Sequence, residues 1–232
     1  MKAVVLAAGK GTRLLPLTEK IPKVLVGVNG KPFLYYVLRN LQKAGFDEIC
    51  LVVGYMKEKV REFLKEYGFT AVLVEQQEQL GTGHAIALAK KFVGKDPFLV
   101  YYGDSLFSVE DLRRLAIEDG MIYMVGKEVN DWKKYGVLVE KDGFLQKKVE
   151  KPSSFVGNLA WAGICKATPL LFKKLVSAGV SPRGEIEVTD AINVLAKEKK
   201  VKVIKLQDYW LDLSSPEDIP KIEEFLKEKW KE

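Results

Sequence analysis

The stretch that decides the fold is Lys2-Ala3-Val4-Val5-Leu6-Ala7-Ala8-Gly9-Lys10-Gly11-Thr12-Arg13-Leu14. Its continuous apolar run ends in small residues and glycines, which predicts a buried strand over 2–7 that leads into a loop. Short side chains let backbone N–H groups approach an anion closely, and the cations Arg13 and Lys23 follow soon after. The stretch therefore predicts a polyphosphate site immediately after the first strand.

The spacing of the glycines excludes two common phosphate-binding loops. A Walker loop needs Gly-Lys followed by Ser or Thr, but Gly9-Lys10 is followed by Gly11. A dinucleotide fingerprint needs a third glycine at position 14, which is Leu14, and an acidic residue after the next strand, which is absent. A dinucleotide-dependent oxidoreductase is therefore disfavoured, although the glycines by themselves are equally compatible with simple turn geometry.

Strands and helices alternate through the first half of the chain. Apolar strands are predicted at 48–53, 70–74 and 98–102, and the helices around them at 32–43, 57–66 and 83–91. This alternation, with strands that are apolar throughout, predicts a parallel sheet covered by helices on both faces.

The second half has a different pattern. The segments 137–140 and 144–149 flank Lys141-Asp142-Gly143, which predicts a hairpin. Further strands are predicted at 160–165, 201–206 and 209–212, and helices at 169–176 and 188–197. A last helix is predicted from an N-cap at Ser215 to Trp230, with Pro216 in its first turn.

Composition limits the classes of function. The net charge of +6 comes from lysines that alternate with glutamates and have no interleaved aromatic residues, which predicts solvated helix faces and no nucleic-acid partner.

No apolar stretch is long enough to cross a membrane, and no signal peptide precedes the first strand, so a cytoplasmic location is expected. Cys50 and Cys165 lie among apolar neighbours and are predicted to be buried thiols. The abundance of Lys and Glu is typical of thermophilic proteins.

The string from Leu6 to Lys23 resembles the signature of the sugar-1-phosphate nucleotidylyltransferases, L-A-A-G-x-G-T-R-L-x-P-L-T…P-K, and keeps every position of it. The resemblance implies a Rossmann-like, doubly wound α/β fold: a mostly parallel mixed sheet with helices on both faces and a small β-hairpin appendage that binds the sugar. One nucleotidyltransferase domain is expected over 1–232, with a nucleotide-binding part at about 1–130, a sugar-binding part at about 131–215 and a C-terminal helix at 216–230. No left-handed β-helix domain is expected.

The resemblance also implies a nucleotide site. Its predicted binding residues are Leu6, Ala8, Gly9, Gly11, Thr12, Gln76, Gly81 and Thr82. The amide of Gln76 both donates and accepts hydrogen bonds, which suits the adjacent N–H and C=O groups of uracil or thymine. His84 is the only histidine; packing within this motif is favoured for it over a role as a general base.

Two acidic residues are candidate Mg²⁺ ligands. Asp104 follows the strand 98–102 and Gly103, a position that suits a hard cation, although Gly-Asp is also common in turns. Asp212 follows Trp210-Leu211 at another strand end. Both match acidic positions that hold the catalytic metal in the resembled family.

The sugar-phosphate site is implied by similar motifs. Its predicted residues are Gly136, Glu150, Lys151 and Trp161. A carboxylate accepts hydrogen bonds from sugar hydroxyls, and a lysine can pair with the phosphate. Trp161 stands where relatives that act on N-acetylglucosamine 1-phosphate have an asparagine, which favours glucose 1-phosphate. The segment from Arg183 to Asp190 resembles one found in thymidylyl- and uridylyl-transferring members.

The predicted reaction transfers a nucleotidyl group from UTP or dTTP to a sugar 1-phosphate and releases pyrophosphate. Arg13, Lys23 and Asp104 are the predicted catalytic residues, and Mg²⁺ is the predicted cofactor. Two alternatives stay open: a cytidylyltransferase for phosphocholine or inositol phosphate, and a non-catalytic sensor of nucleotide sugars. The choice between UTP and dTTP is undecided, as is the oligomeric state, and a homo-oligomer is compatible with the sequence.

Overall fold

The computed structural model describes residues 1–181 and 184–230, and over these residues the chain forms thirteen strands and eight α-helices. The strands are β1 (Lys2–Ala7), β2 (Gly27–Val28), β3 (Lys31–Pro32), β4 (Ile49–Val53), β5 (Val72–Glu75), β6 (Phe98–Tyr102), β7 (Ser105–Phe107), β8 (Ile122–Glu128), β9 (Gly136–Lys141), β10 (Phe144–Glu150), β11 (Leu159–Ala167), β12 (Val201–Lys205) and β13 (Trp210–Asp212). The helices are α1 (Phe33–Lys43), α2 (Lys57–Tyr67), α3 (Thr82–Leu88), α4 (Lys90–Val93), α5 (Val109–Arg113), α6 (Leu170–Ala178), α7 (Val188–Lys197) and α8 (Asp218–Lys229).

Nine strands form one mixed sheet in the order β5-β4-β1-β6-β11-β8-β12-β10-β9. The first four are mutually parallel. Strand β11 runs antiparallel to both of its neighbours, β6 and β8. The predicted α/β class, with its mostly parallel nucleotide-binding half, is confirmed.

The sheet separates two hydrophobic cores. Because successive side chains of a strand point to opposite faces, Ala3 and Val5 of β1 lie in one core and Val4 lies in the other. Helices α1, α2, α5 and α8 cover the first face, and α3, α4, α6 and α7 cover the second. Burial on both faces explains why β1 is apolar at consecutive positions.

The predicted hairpin forms as β9 and β10, and it belongs to the main sheet. Strand β10 pairs with β12, and Val137 of β9 is paired with Ala160 of β11. The part of the chain predicted to bind the sugar is therefore continuous with the nucleotide-binding half through hydrogen-bonded strands.

The element predictions were incomplete, and two were wrong in detail. Strand β8 and the short elements β2, β3, β7 and α5 were not predicted, and the single helix at 83–91 is divided into α3 and α4. The last helix begins at Asp218, and Ser215 is not its N-cap. The carboxylate of Asp218 accepts hydrogen bonds from the N–H groups of Ser214 and Ser215, at 2.9 and 2.7 Å. The Ser215 hydroxyl also donates to this carboxylate, at 3.2 Å, and caps no N–H group of the helix.

Across the described ranges, no helix combines the length and the apolar composition that a membrane span requires. Cys50 and Cys165 are both buried free thiols, as predicted.

Candidate functional site

The carboxyl ends of β1 and β6 border a cavity of about 340 Å³. Its wall includes these predicted site residues: Leu6, Ala8, Gly9, Lys23, Gln76, Gly81, Thr82 and Asp104. Ligands of open parallel sheets bind at this edge, so the position of the cavity agrees with the fold. The remaining predicted residues, which include Arg13 and Asp212, are outside the wall of this cavity.

The glycine loop places Lys23 beside the strand ends. Gly11 has a φ of +66°, and a Cβ atom there would lie 2.8 Å from Cβ of Lys23. The hydroxyl of Thr18 donates a hydrogen bond to the carbonyl of Gly11 at 2.8 Å, which holds the loop in this turn. By contrast, Thr12 and Arg13 are exposed on the loop.

Lys23 and Asp104 form the central contact of the site. The distance from Lys23 Nζ to Asp104 Oδ2 is 2.5 Å, and the Lys23 side chain is only 13% exposed. Gly103 donates its N–H to the Leu6 carbonyl at 3.0 Å, and a Cβ at Gly103 would come within 2.9 Å of that oxygen. The close approach of β6 to β1 therefore sets the position of Asp104.

Asp212 is placed next to Asp104 by strands β13 and β7, which form a separate two-stranded sheet. Strand β13 pairs with β7 so that Asp212 is opposite Ser105, and the Leu213 N–H donates to the Asp104 carbonyl at 2.8 Å. The hydroxyls of Ser105 and Ser214 donate to the two carboxylate oxygens of Asp212 at 3.0 and 2.7 Å. Burial, together with the negative charge of Asp104, raises the pKa of Asp212.

This carboxylate pair suits Mg²⁺. Two neighbouring carboxylates that repel each other are stabilised by a hard divalent cation, which leaves its other coordination positions for phosphate oxygens and water. In residues 1–181 and 184–230, no group of three or more His, Cys, Asp or Glu side chains is placed to hold a metal. Asp104 and Asp212 are the two carboxylates here that could hold a cation, and Mg²⁺ at this site stays a prediction.

Gln76 also lines the cavity, and two contacts hold its side-chain amide. Its side chain is buried, and its Nε2 lies 3.1 Å from the Gly81 carbonyl oxygen and 3.2 Å from Nδ1 of His84. Gln79, which was not predicted, donates to the Ala8 carbonyl at 3.1 Å and ties this segment to the glycine loop.

The segment after residue 183 supports the same wall. The Gly83 N–H donates to the Ile186 carbonyl at 2.8 Å, and Cβ atoms at Gly81 and Gly83 would come within 2.8 and 2.7 Å of that oxygen. Glu185 itself borders the cavity. Arg183 lies outside the described residues.

Three predicted sugar-site residues are brought together around a buried lysine that was not predicted. Lys148 Nζ donates to Glu150 Oε2 at 2.8 Å and lies 4.2 Å from the centre of the Trp161 ring. A Cβ at Gly136 would touch Glu150 Oε2 at 2.8 Å. Burial lowers the pKa of Lys148, although Glu150 opposes this effect. The fourth predicted residue, Lys151, is exposed.

The comparisons with known proteins agree on one family. The model of the nucleotidyl transferase family matches residues 2–229. The bifunctional protein GlmU of Methanocaldococcus jannaschii is 40% identical over 99% of this chain and 55% of its own length, so this chain spans about half of that relative. The UTP–glucose-1-phosphate uridylyltransferase AglF of Haloferax volcanii is 36% identical over 99% of this chain and 98% of its own.

A solved structure gives the same result. A UDP-glucose pyrophosphorylase in complex with UDP-glucose superimposes with a TM-score of 0.87 at 27% identity, and 98% of each chain is covered. The similarity therefore extends over both halves of the molecule.

Proposed function

Because this chain belongs to the nucleotidyl transferase family, we propose that it transfers a nucleotidyl group from UTP or dTTP to a sugar 1-phosphate. The products are a nucleotide sugar and pyrophosphate. The observation that carries the proposal is the contact between Lys23 and Asp104, 2.5 Å apart, in the wall of the cavity that follows the glycine loop.

The mechanism needs no protein nucleophile or strong base. An oxygen of the sugar phosphate is already anionic and attacks the α-phosphorus in line, so the protein contributes orientation and charge neutralisation. Backbone N–H groups near Gly9 and the cation of Arg13 hold the triphosphate, with Arg13 beside the leaving pyrophosphate. Lys23 lies between the α-phosphate and the incoming phosphate and reduces their repulsion. Asp104 and Asp212 would hold Mg²⁺, which would supply further neutralisation of the phosphate charges.

We propose glucose 1-phosphate as the sugar substrate and UTP as the first nucleotide to test. AglF, which matches this chain over nearly its whole length, is a UTP–glucose-1-phosphate uridylyltransferase. Trp161 packs against Tyr102, with ring centres 5.0 Å apart. We infer that it replaces the asparagine of relatives that act on N-acetylglucosamine 1-phosphate, which favours a sugar without an acetamido group. The base of dTTP differs from that of UTP by one methyl group, which is discriminated by only about 1–3 kcal/mol, and dTTP also lacks the 2′-hydroxyl of the ribose. We expect dTTP to be used as well.

The test is pyrophosphate release with Mg²⁺ across the common nucleoside triphosphates and a panel of sugar 1-phosphates, phosphocholine and inositol phosphate. We expect the largest kcat/KM for UTP or dTTP with glucose 1-phosphate. A response to CTP with phosphocholine or inositol phosphate alone would instead show a cytidylyltransferase. Binding of nucleotide sugars without any turnover would show a sensor.

Variants of the central contact test the assigned roles. Lys23→Ala and Asp104→Ala are each expected to lower kcat by at least about 10²-fold, the usual effect of removing one preorganised electrostatic contact. Lys20→Ala is the matched control, because Lys20 is an exposed lysine three residues before Lys23. Near-normal turnover in either site variant would contradict the mechanism.

A further inference from the structure

We propose that His84 orients the side-chain amide of Gln76, and that this orientation selects uracil and thymine over cytosine. His84 is then a positioning residue that determines base specificity, and it does not take part in the chemical step. The inference rests on the proposed function, since it concerns the nucleotide bound in the same cavity.

The contacts of Gln76 define which way its amide faces. The side chain is 4% exposed, and its Nε2 lies 3.1 Å from the Gly81 carbonyl oxygen and 3.2 Å from His84 Nδ1. A carbonyl oxygen can only accept a hydrogen bond, so the Gln76 atom that faces Gly81 must be the amide nitrogen. The second hydrogen of that nitrogen is then directed to the ring of His84.

The same contact defines the state of His84. Because Gln76 donates, Nδ1 of His84 accepts, and the ring proton is on Nε2. His84 is the third residue of α3, whose start is held by the Gly83 N–H bond to Ile186, 2.8 Å long. The imidazole therefore extends from a backbone that is fixed on the second face of the sheet.

With both amide hydrogens used, Gln76 offers a ligand only the lone pairs of Oε1. The base-pairing edge of uracil or thymine carries one hydrogen-bond donor, the N3–H group, so Oε1 pairs with N3–H when UTP or dTTP is bound. Cytosine in the same position has an unprotonated N3, whose lone pair would face Oε1 and leave a buried acceptor without a donor. Without His84, one of the two constraints on the amide is lost, and the preference against cytosine is reduced.

The experiment compares two substitutions that differ in one acceptor. His84→Asn places an amide oxygen the same number of bonds from the backbone as Nδ1, whereas His84→Leu fills similar space without an acceptor. We measure kcat and KM for UTP and CTP, and also the affinity of each nucleotide by calorimetry, which does not depend on turnover. The UTP/CTP ratio is defined as kcat/KM for UTP divided by kcat/KM for CTP, and in calorimetry as the corresponding ratio of affinities. We expect this ratio to fall about fivefold to tenfold in His84→Leu, which is the effect of losing one neutral hydrogen bond, and to be retained in His84→Asn.

A second background tests whether His84 acts through Gln76. In Gln76→Leu, adding His84→Leu is expected to leave the UTP/CTP ratio unchanged, while the KM for the sugar 1-phosphate is unchanged in all His84 variants. If His84→Leu is unstable in thermal melting, His84→Phe, whose ring also has no hydrogen-bond acceptor, takes its place in the comparison.

The outcomes separate this inference from the proposed function. A UTP/CTP ratio within twofold of wild type in a folded His84→Leu protein would overturn the inference, as would an equal loss in His84→Asn or a further loss in the Gln76→Leu background. Absence of turnover with every nucleotide and sugar would overturn the proposed function, and the calorimetric ratio would still decide the role of His84.

Discussion

At the scale of single residues, Gly103 and Gly9 differ in whether contacts within the folded chain require a glycine. A Cβ atom at Gly103 would lie 2.9 Å from the Leu6 carbonyl oxygen, so the chain itself requires glycine there. Gly9 is exposed, and a Cβ atom there would have no atom within 4 Å. Nothing in the described chain requires glycine at position 9, and we propose that the approach of a triphosphate to the backbone is the reason for it.

This contrast gives a prediction for Gly9→Ala. We expect its free energy of unfolding to differ from wild type by less than about 0.5 kcal/mol, because the added methyl meets no protein atom. We expect its KM for the nucleoside triphosphate to rise at least about tenfold, because the methyl obstructs the phosphate. Gly120→Ala, at another exposed glycine with open space around it, is the control. An unchanged KM in Gly9→Ala would show that the glycine loop is not part of the nucleotide-binding site.

At the scale of elements, β11 connects the two halves of the sheet and carries a fully buried cation. Lys166 donates hydrogen bonds to the Asp119 carbonyl at 2.5 Å, the Asp119 carboxylate at 3.0 Å and the Met121 carbonyl at 2.8 Å. These acceptors lie on the segment that leads into β8, which β11 pairs with. The three hydrogen bonds therefore tie β11 to the segment that precedes β8.

We predict that Lys166→Met lowers the free energy of unfolding by about 1–3 kcal/mol or more, because two backbone carbonyls lose their donor. The measurement is chemical denaturation at pH 7. Lys147→Met is the control, since Lys147 is exposed on β10. Equal stability of the two variants would show that water replaces the lysine without cost.

The pH dependence of the same variant follows from Asp119. Burial by itself would raise the pKa of this carboxyl, but hydrogen bonds from Tyr123 and Lys166 outweigh it and hold the pKa below its usual value. A lowered carboxyl pKa contributes stability at neutral pH, and this contribution is lost as the pH falls through the folded-state pKa. We therefore expect the stability difference between wild type and Lys166→Met to narrow on acidification, in denaturation series from pH 7 to pH 3.

The elements also show what the sequence could and could not predict. The parallel strands were predictable because each is an uninterrupted apolar run, and Lys23 and Asp104 were predictable because each follows a recognisable motif. Strand β7 has three residues and is stabilised by pairing with β13, about a hundred positions later, so no local pattern reveals it. The contact of His84 with Gln76 depends in the same way on tertiary geometry.

Lys148 could have been found from the sequence. Residues two apart on a strand lie on the same face, so extending the predicted strand 144–149 by one residue would have placed Lys148 and Glu150 side by side. The burial of Lys148 against Trp161 could not be predicted, because it depends on β11 lying beside β9.

At the scale of the whole molecule, the continuous sheet bears on whether the predicted nucleotide-binding and sugar-binding parts are one domain. Strands β6 and β11, one from each part, are hydrogen-bonded neighbours in the middle of the sheet. Cys50 on β4 and Cys165 on β11 lie one in each part, and burial raises the pKa of each thiol to about 12. The two cysteines are therefore natural probes of whether the parts unfold together.

We predict that both thiols are unreactive toward a thiol reagent at pH 8 in the native protein, because the thiolate is the reactive form and burial suppresses it. In the single-cysteine variants Cys50→Ala and Cys165→Ala, the remaining thiol is expected to become reactive at the same denaturant concentration, and this concentration is expected to match the midpoint seen by circular dichroism. The unfolding midpoints from thiol exposure and from circular dichroism coincide if the strands shared by the two parts make the whole sheet unfold as one cooperative unit. Exposure of Cys165 at a lower denaturant concentration than Cys50 would show that the sugar-binding part opens independently, and the single-domain prediction would then be wrong.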